Sequence, residues 1–568
     1  MNIQEKVKNW IEKTLKIKDN FVLTHPKNIK NGDYSFFCSP EKANEFRQAL
    51  TENKISEIEK IEIAGNFINF YLSKDFFAES VKEILDKEEK FGENSLLEDQ
   101  KIIIEYTDPN PFKEFHIGHL MSNSIGEAIS RIIEFHGAEV KRANWQGDMG
   151  LHVAKAVFAM KLGVNFEQAY VFGHAVFENQ QPLLWYLDGY EKHLKPIWDN
   201  IPNLERAKEE IIAINKKIYE KSDSRINDLY ESGRKTSLDY FEGIYERLGT
   251  KFVYYFFEGK EGVEGKSIVE NHIKDGIFEK SDGAIIFRGE KYGLHTRVFI
   301  NSDGIPTYEA KELGLNKKKF DVEPKLIKSI IITGNEIKEY FKVLIKVISL
   351  IFPDIAEKTL HLPHGMLRLP GGKMSSRTGN IITAKSLIEQ MKAKIAEKLK
   401  DREYSVKEKG DISEIVAIGA IKYSILRQAI GGDIIFDFDK SISFEGNSGP
   451  YLQYTYVRAN SVLEKAKMSR LNLDMSKTVF DTWETTELEK YLYRFPEVVE
   501  RAGKEYAPHY IVTYLTELSS IFNSFYAKNK IIDESDPSSP YKIALTAATA
   551  SILKSGLHLL GIKVPERM

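Results

Sequence analysis

A single cysteine, Cys38, stands among 568 residues. One thiol cannot build a disulfide framework or a thiolate zinc cluster, and it fits a reducing, cytoplasmic setting. Glycine (37) and proline (18) are sparse, and no internal repeat or low-complexity linker interrupts the chain. The opening Met1-Asn2-Ile3-Gln4-Glu5-Lys6 has no apolar core, so no secretory leader is expected. The longest late uncharged stretch, Ile543 to Leu553, falls far short of the ~20 residues that a membrane helix needs, so no membrane partner is expected. Lys and Arg (80) nearly balance Asp and Glu (83), so any nucleic-acid surface has to be a local patch. What remains is an ordinary globular composition, 42% hydrophobic and 29% charged. The length suits roughly three or four domains.

Residues 1–95 read as a small α+β domain. A Lys-rich amphipathic opening (Lys6, Lys8, Lys13, Lys16, Lys18) leads to strands at Ile61–Ile63 and Phe67–Tyr71. Residues 96–385 read as an α/β domain, with the buried strand Ile102–Tyr106, a strand-to-loop junction at Trp145–Gly150, and runs at Ala284–Phe287, Val298–Ile300 and Ser329–Ile332. Strands alternating with helices predict a doubly wound, mostly parallel, Rossmann-like sheet. The mixed-charge helical periodicity from Leu183 to Leu248 predicts a helical insertion at about 165–250. Residues 386–440 read as a helical connection. An all-helical domain follows over 441–568, with helices at Tyr451–Ala466, Leu488–Arg501, Tyr510–Phe525 and Tyr541–Leu560, after one at Ile415–Ile430.

The chemistry concentrates in two places. Phe115-His116-Ile117-Gly118-His119 follows the Ile102 strand across Asp108-Pro109-Asn110-Pro111 and opens a helix through Ile125, Ile129 and Ile132. Free N–H groups and the helix dipole at such a junction attract phosphate. His116 and His119 project from one side of the first turn and can donate to triphosphate oxygens, while Gly118 leaves bare backbone for adenine. Far downstream, Gly371-Gly372-Lys373-Met374-Ser375-Ser376-Arg377 suits a mobile cationic flap that neutralises a leaving pyrophosphate. Solvated histidines and an exposed basic turn are the bland alternatives. A zinc reading of His116-x-x-His119 lacks an evident third ligand.

These pieces resemble the HIGH and KMSKS signatures of class I aminoacyl-tRNA synthetases. Glu105-Tyr106-Thr107-Asp108-Pro109-Asn110 and Gly304-Ile305-Pro306-Thr307-Tyr308-Glu309-Ala310-Lys311-Glu312-Leu313 are similar to segments of the arginyl family. So are Tyr451-Leu452-Gln453-Tyr454-Thr455-Tyr456-Val457-Arg458, the ending Leu560 to Met568, and Ala64–Phe70 of the amino-terminal, tRNA-elbow domain. The resemblance implies ATP-dependent ligation of L-arginine to tRNA(Arg), with Mg2+ accompanying the nucleotide and no zinc, in a cytoplasmic monomer. It implies that His116, Gly118, His119, Lys373, Met374 and Ser375 bind ATP, with His116, His119 and Lys373 catalytic. Glu105, Asn110, Tyr308 and Glu312 would bind arginine, and Tyr451, Tyr454, Arg458 and Met568 tRNA. Tyr308 and Glu312, four apart on one helix face, suit a planar guanidinium fork. Three positions depart from the pattern: Glu312 replaces Asp, Asn335-Glu336 stands where Gln is usual, and Ser376 replaces the second lysine. A lysyl or glutamyl enzyme, and a HIGH-family nucleotidyltransferase, are the alternatives.

Overall fold

The computed structural model describes residues 3–17, 21–180, 190–368, 383–469 and 483–568. Tertiary contacts divide the chain into two compact units, one of Ser95–Arg402 with Gln428–Asp439, the other of Met1–Asn94, Glu403–Arg427 and Lys440–Met568.

The first unit is built on a five-stranded sheet. Its strands are β1 (Lys101–Glu105), β2 (Glu139–Gln146), β3 (Tyr254–Phe257), β4 (Leu326–Gly334) and β5 (Thr359–His364). They run in the order β5-β4-β1-β2-β3, and every neighbouring pair is parallel. Ile103, Ile104, Ile330, Ile331 and Ile332 are fully buried, because a parallel sheet is covered on both faces and its strands read as unbroken apolar runs. The chain leaves β1 towards β2 on one side and returns to β4 on the other. A crevice therefore opens beyond the carboxyl ends of β1 and β4, where such sheets bind ligands. Helix α1 (Ile117–Phe135) starts in that crevice and ends at Gly137, whose φ of 93° supplies the left-handed turn.

Two of the runs expected in this sheet lie elsewhere. Ala284–Phe287 and Arg297–Ile300 join Glu279–Ser281 in a separate three-stranded antiparallel sheet. The cause is the Asp282-Gly283 pair, both at positive φ, a two-residue turn that folds Ser281 back on Ala284. Between β2 and β3 the chain forms helices including Phe166–Glu178, Leu204–Glu220 and Ser224–Leu248, which share a core with Leu151–Lys161.

Helices α2 (Glu258–Asn271) and α3 (Tyr308–Val322) pack backbone against backbone. A Cβ on Gly265 would lie 1.8 Å from the Ala310 carbonyl oxygen, and one on Gly314 2.3 Å from that of Glu261. Because α3 carries Tyr308 and Glu312, this crossing sets their depth. Gly265→Ala is expected to destabilise the protein by ~1–3 kcal/mol through overpacking. Thermal melting and the arginine KM should worsen together; an unchanged melting temperature would contradict the close crossing.

In the second unit, four antiparallel strands in the order Leu23–Thr24, Tyr34–Phe37, Phe67–Leu72, Ile58–Ala64 pack on helices Ile3–Leu15, Pro40–Glu52 and Lys74–Lys87. The helical remainder comprises Val406–Leu426, Gly449–Met468, Phe495–Lys504, His509–Lys528 and Ser539–Leu559, with the short Glu489–Leu492. The helix expected over Leu488–Arg501 is thus two pieces, broken where Tyr493 turns in among Tyr34, Phe76 and Phe77. Val406–Leu426 begins earlier than the apolar pattern suggests, because Ser405 and Glu408 form a capping box ahead of it. The chain then re-enters the first unit, where Ile434–Ile435 pairs with Leu367–Arg368.

Candidate active site

Beyond β1 the backbone is strained. Thr107 (φ 81°) and Asp108 (φ 47°) lie in the left-handed region, which costs about 1–3 kcal/mol per residue and needs outside support. The Thr107 N–H donates to Ser122 Oγ (2.9 Å), Asn123 Nδ2 donates to Thr107 Oγ1 (3.1 Å), and the Trp145 N–H donates to Asp108 Oδ1 (2.8 Å). Below them the Tyr106 hydroxyl donates to Glu127 Oε2 (2.7 Å). Burial would raise the Glu127 pKa, but the Arg142 and Arg131 guanidiniums outweigh it and hold it at about 2.

This scaffold surrounds a pocket rich in carboxyl groups. Glu105, at the end of β1, is 1% exposed and pairs with Lys319, whose Nζ is fully buried 2.7 Å from Oε2. Glu258, following β3, pairs with Lys311 at 2.7 Å, again buried. Among the described residues Glu312 has no lysine of its own, and its buried Oε2 lacks a hydrogen-bond partner. Burial first, and the Glu105 charge second, push its pKa up to about 8 despite Lys319 and a hydrogen bond from Tyr308. Asp108 keeps some exposed surface but turns its carboxyl group inward; burial and the Glu105 charge raise its pKa well above the ordinary value. Tyr308 is 38% exposed as a residue, while its hydroxyl end sits among all four carboxyls; desolvation of that end and their charge raise its pKa far above normal. Its ring rests on Tyr340 at 5.2 Å. Gly147 lets Asn110 and Glu258 meet bare backbone: a Cβ there would lie 2.1 Å from Asn110 Oδ1 and 2.9 Å from Glu258 Oε1.

Glu105, Asn110, Tyr308 and Glu312 are therefore brought together. Asp108, Glu258, Lys311 and Lys319 belong with them and were not singled out from sequence. Lys319 hides inside the run Lys317-Lys318-Lys319, which reads as a solvated face; its spacing from Tyr308 and Glu312 (i+11, i+7) was the available signal. Glu336 is exposed past the end of β4, folded against Gly334.

His116 caps α1 rather than projecting from it. The Gly118 N–H donates to His116 Nδ1 (3.1 Å), the His116 N–H donates to His119 Nδ1 (3.2 Å), and the rings stack at 3.6 Å. One of the N–H groups expected to be free is thus taken. Gly118 also has a different reason to be glycine: a Cβ there would sit 2.9 Å from the folded-back His116 ring. Burial, with Lys113 nearby, lowers the His116 pKa to about 4, and burial with the His116 ring lowers that of His119 well below the usual imidazole value. Both rings are neutral at physiological pH. Since each Nδ1 accepts from an amide, each proton sits on Nε2, which is a donor aimed away from the backbone.

Lys373, Met374 and Ser375 lie outside the described residues. The first described residue after them, Thr383, bridges to His116, and the Ala384 N–H donates to the Phe115 carbonyl (2.8 Å).

In the second unit, Arg458 lies over the rings of Tyr454 (4.7 Å) and Tyr526 (5.2 Å) and donates to Asn523 Oδ1. Asn523 Nδ2 in turn donates to the Tyr451 hydroxyl (3.0 Å). Asn523 and Tyr526 are additions to the residues expected there. Met568 is nearly buried, and the tail before it is pinned by Lys422 and Gln453, which both donate to its carbonyls (2.7 Å each).

Residues 80–438 match the family model of the class I tRNA synthetase (R) catalytic domain, and residues 452–568 that of the DALR anticodon binding domain. The chain belongs to the arginyl-tRNA synthetase family. It is 30% identical over 556 residues to an arginine–tRNA ligase of Halothermothrix orenii, covering 96% of this chain and 95% of that one. It is 29% identical to that of Clostridium kluyveri over the full length of both. Solved arginyl-tRNA synthetases of Thermus thermophilus (TM-score 0.73, 21% identity) and Plasmodium falciparum (TM-score 0.72, 20% identity) share its fold. The first covers 100% of both chains, the second 100% of this chain and 99% of its own. The doubly wound catalytic sheet and the helical carboxy-terminal region are thus those of an arginyl-tRNA synthetase. No described helix is long and apolar enough to cross a membrane.

Proposed function

We propose that, in this arginine–tRNA ligase, Glu312, Glu258 and Tyr308 receive the guanidinium of arginine while Glu105 and Asn110 hold its backbone end. The observation that carries the assignment is the buried Glu312 carboxyl, which has no lysine of its own and an unpartnered Oε2, and so suits a planar, permanently charged fork. A compact ammonium in the same place would leave buried acceptors unpaired, which is the basis for refusing lysine.

ATP lies along the histidine turn, where His116, Gly118 and His119 face it from one side and Lys373, Met374 and Ser375 from the other. Magnesium arriving with the nucleotide neutralises phosphate charge. The arginine carboxylate attacks the α-phosphorus in line; an oxygen–phosphorus bond forms and the bond to pyrophosphate breaks. Neutral Nε2–H groups of His116 and His119 donate to phosphate oxygens as charge builds, and Lys373 meets the departing pyrophosphate. This is positioning and electrostatics, with no protein nucleophile. A ribose hydroxyl of the tRNA 3′ adenosine, the 2′ one in class I enzymes, then displaces AMP. The same reading places the enzyme in the cytoplasm as a monomer, with Mg2+ its only metal.

The reading is tested by incubating the enzyme with ATP, tRNA and labelled arginine, lysine or glutamate. It expects label from arginine alone to enter an alkali-labile tRNA ester; esterified lysine or glutamate would refute it.

Tyr451, Tyr454, Arg458 and Met568 are proposed to meet tRNA. Stacked aromatic and guanidinium groups suit unpaired anticodon bases. Supporting this for the first three is the cluster of Arg458 between Tyr454 and Tyr526; Met568 contributes by holding the tail in place. Arg458→Ala is expected to weaken tRNA binding about tenfold and blunt discrimination among anticodon variants, with free-arginine binding unchanged. Filter binding across a salt series checks this, and an unaltered affinity and anticodon preference would remove Arg458 from the interface.

A further inference from the structure

The four carboxyls bearing on the Tyr308 hydroxyl are Glu312, Glu258, Asp108 and Glu105, and among the described residues only two of them have a buried lysine. Lys311 pairs with Glu258 and Lys319 with Glu105, each at 2.7 Å. Asp148, itself paired with Arg234, and Lys113 also bear on Glu258, and Tyr340 completes the wall. Asp108 and Glu312 are left over. Arginine brings a guanidinium and an α-ammonium, while its carboxylate is directed at ATP, so the two cations it places here meet two free anions only when both leftover carboxyls are ionised.

We propose that Lys319 is a positioning residue that holds the Glu105 carboxyl in place in the pocket, so that arginine enters by expelling protons from Asp108 and Glu312. The inference rests on the assignment of this pocket to arginine. Two unneutralised carboxylates with their charged ends buried are costly, so the free pocket holds protons instead. Glu312, pushed up to about 8 by burial and the Glu105 charge, is protonated at neutral pH, and Asp108 is raised in the same direction. Arginine binds the ionised form and therefore has to displace those protons. Affinity is therefore low in acid and rises about tenfold per pH unit for each proton released, with the share owed to Glu312 levelling off above about pH 8. Lys319 is placed to set this range, because its ammonium favours ionisation of both leftover carboxyls as well as holding Glu105.

Calorimetry of arginine binding to the full chain, from pH 5.5 to 9 in buffers of different ionisation enthalpy, counts the protons. The wild type is expected to release about one or more at pH 7. Glu312→Gln, which cannot titrate, should release about one fewer. Lys319→Met should bind arginine at least tenfold more weakly at pH 7, release more protons, and regain affinity towards pH 9, whereas Lys319→Arg keeps the wild-type proton count. Arginine binding with no proton release overturns the inference while leaving the pocket assignment standing. A uniform loss of affinity at every pH in Lys319→Met, with an unchanged proton count, also overturns it. Absence of arginine binding at any pH overturns the pocket assignment and the inference together. Should Lys319→Met fail to fold, the wild-type and Glu312→Gln counts decide the matter.

Discussion

Glu312→Gln raises the KM for arginine by roughly 10- to 100-fold and leaves that for ATP within about twofold, because hydrogen bonds to charged groups are worth about 1.5–3 kcal/mol. The amide keeps the shape of the acceptor and loses its charge. Folding stability separates this from a structural defect. A carboxyl whose pKa is raised on folding to about 8 binds its proton more tightly in the folded state than unfolded. Wild-type stability therefore declines as pH rises from the ordinary carboxylate range towards 8. The variant lacks that decline, so at pH 8 it should melt no lower than wild type even as arginine binding collapses. Equal damage to arginine and ATP, or a lowered melting temperature at pH 8, would assign Glu312 to structure instead.

Lys373→Ala slows adenylate formation by roughly 30- to 1,000-fold with little change in the KM for ATP, since an interaction made mainly in the transition state is worth ~2–4 kcal/mol. The neutral histidines make the demand on this lysine larger. With the His116 pKa held at about 4 and that of His119 also lowered well below the usual imidazole value, the turn supplies donors and no charge, so the cation for pyrophosphate has to come from elsewhere. Pre-steady-state measurement of pyrophosphate release checks the effect; a rate within about twofold of wild type would take Lys373 out of the chemistry.

Much of this site was legible in the sequence, and the exceptions share a cause. The apolar run Ile102–Ile104 and the break at Pro109 and Pro111 gave β1 and the start of α1, because a covered parallel strand and a helix entry leave local marks. Tyr308 and Glu312 were visible through the resemblance of Gly304–Leu313 to the arginyl family, and helical spacing then puts them on one face. Lys319 and Glu258 were not, since each has its meaning only through a partner far away in sequence: Glu105 for one, Lys311 for the other. The strain at Thr107 and Asp108 is equally silent, because nothing in a Thr-Asp pair announces a left-handed backbone that Ser122, Asn123 and Trp145 impose from outside. Ala284–Phe287 was expected in the parallel sheet from its apolar run alone, and the Asp282-Gly283 turn, both residues at positive φ, folds it into a hairpin instead.

The measurement that bears most directly on the account is ATP–pyrophosphate exchange with each of the twenty amino acids, run with and without tRNA. The account predicts exchange with arginine and with no other amino acid under whichever condition supports activation, and loss of that exchange in Glu312→Gln at an arginine concentration that saturates the wild type only just. Exchange driven by lysine or glutamate, or arginine exchange indifferent to Glu312, would contradict it.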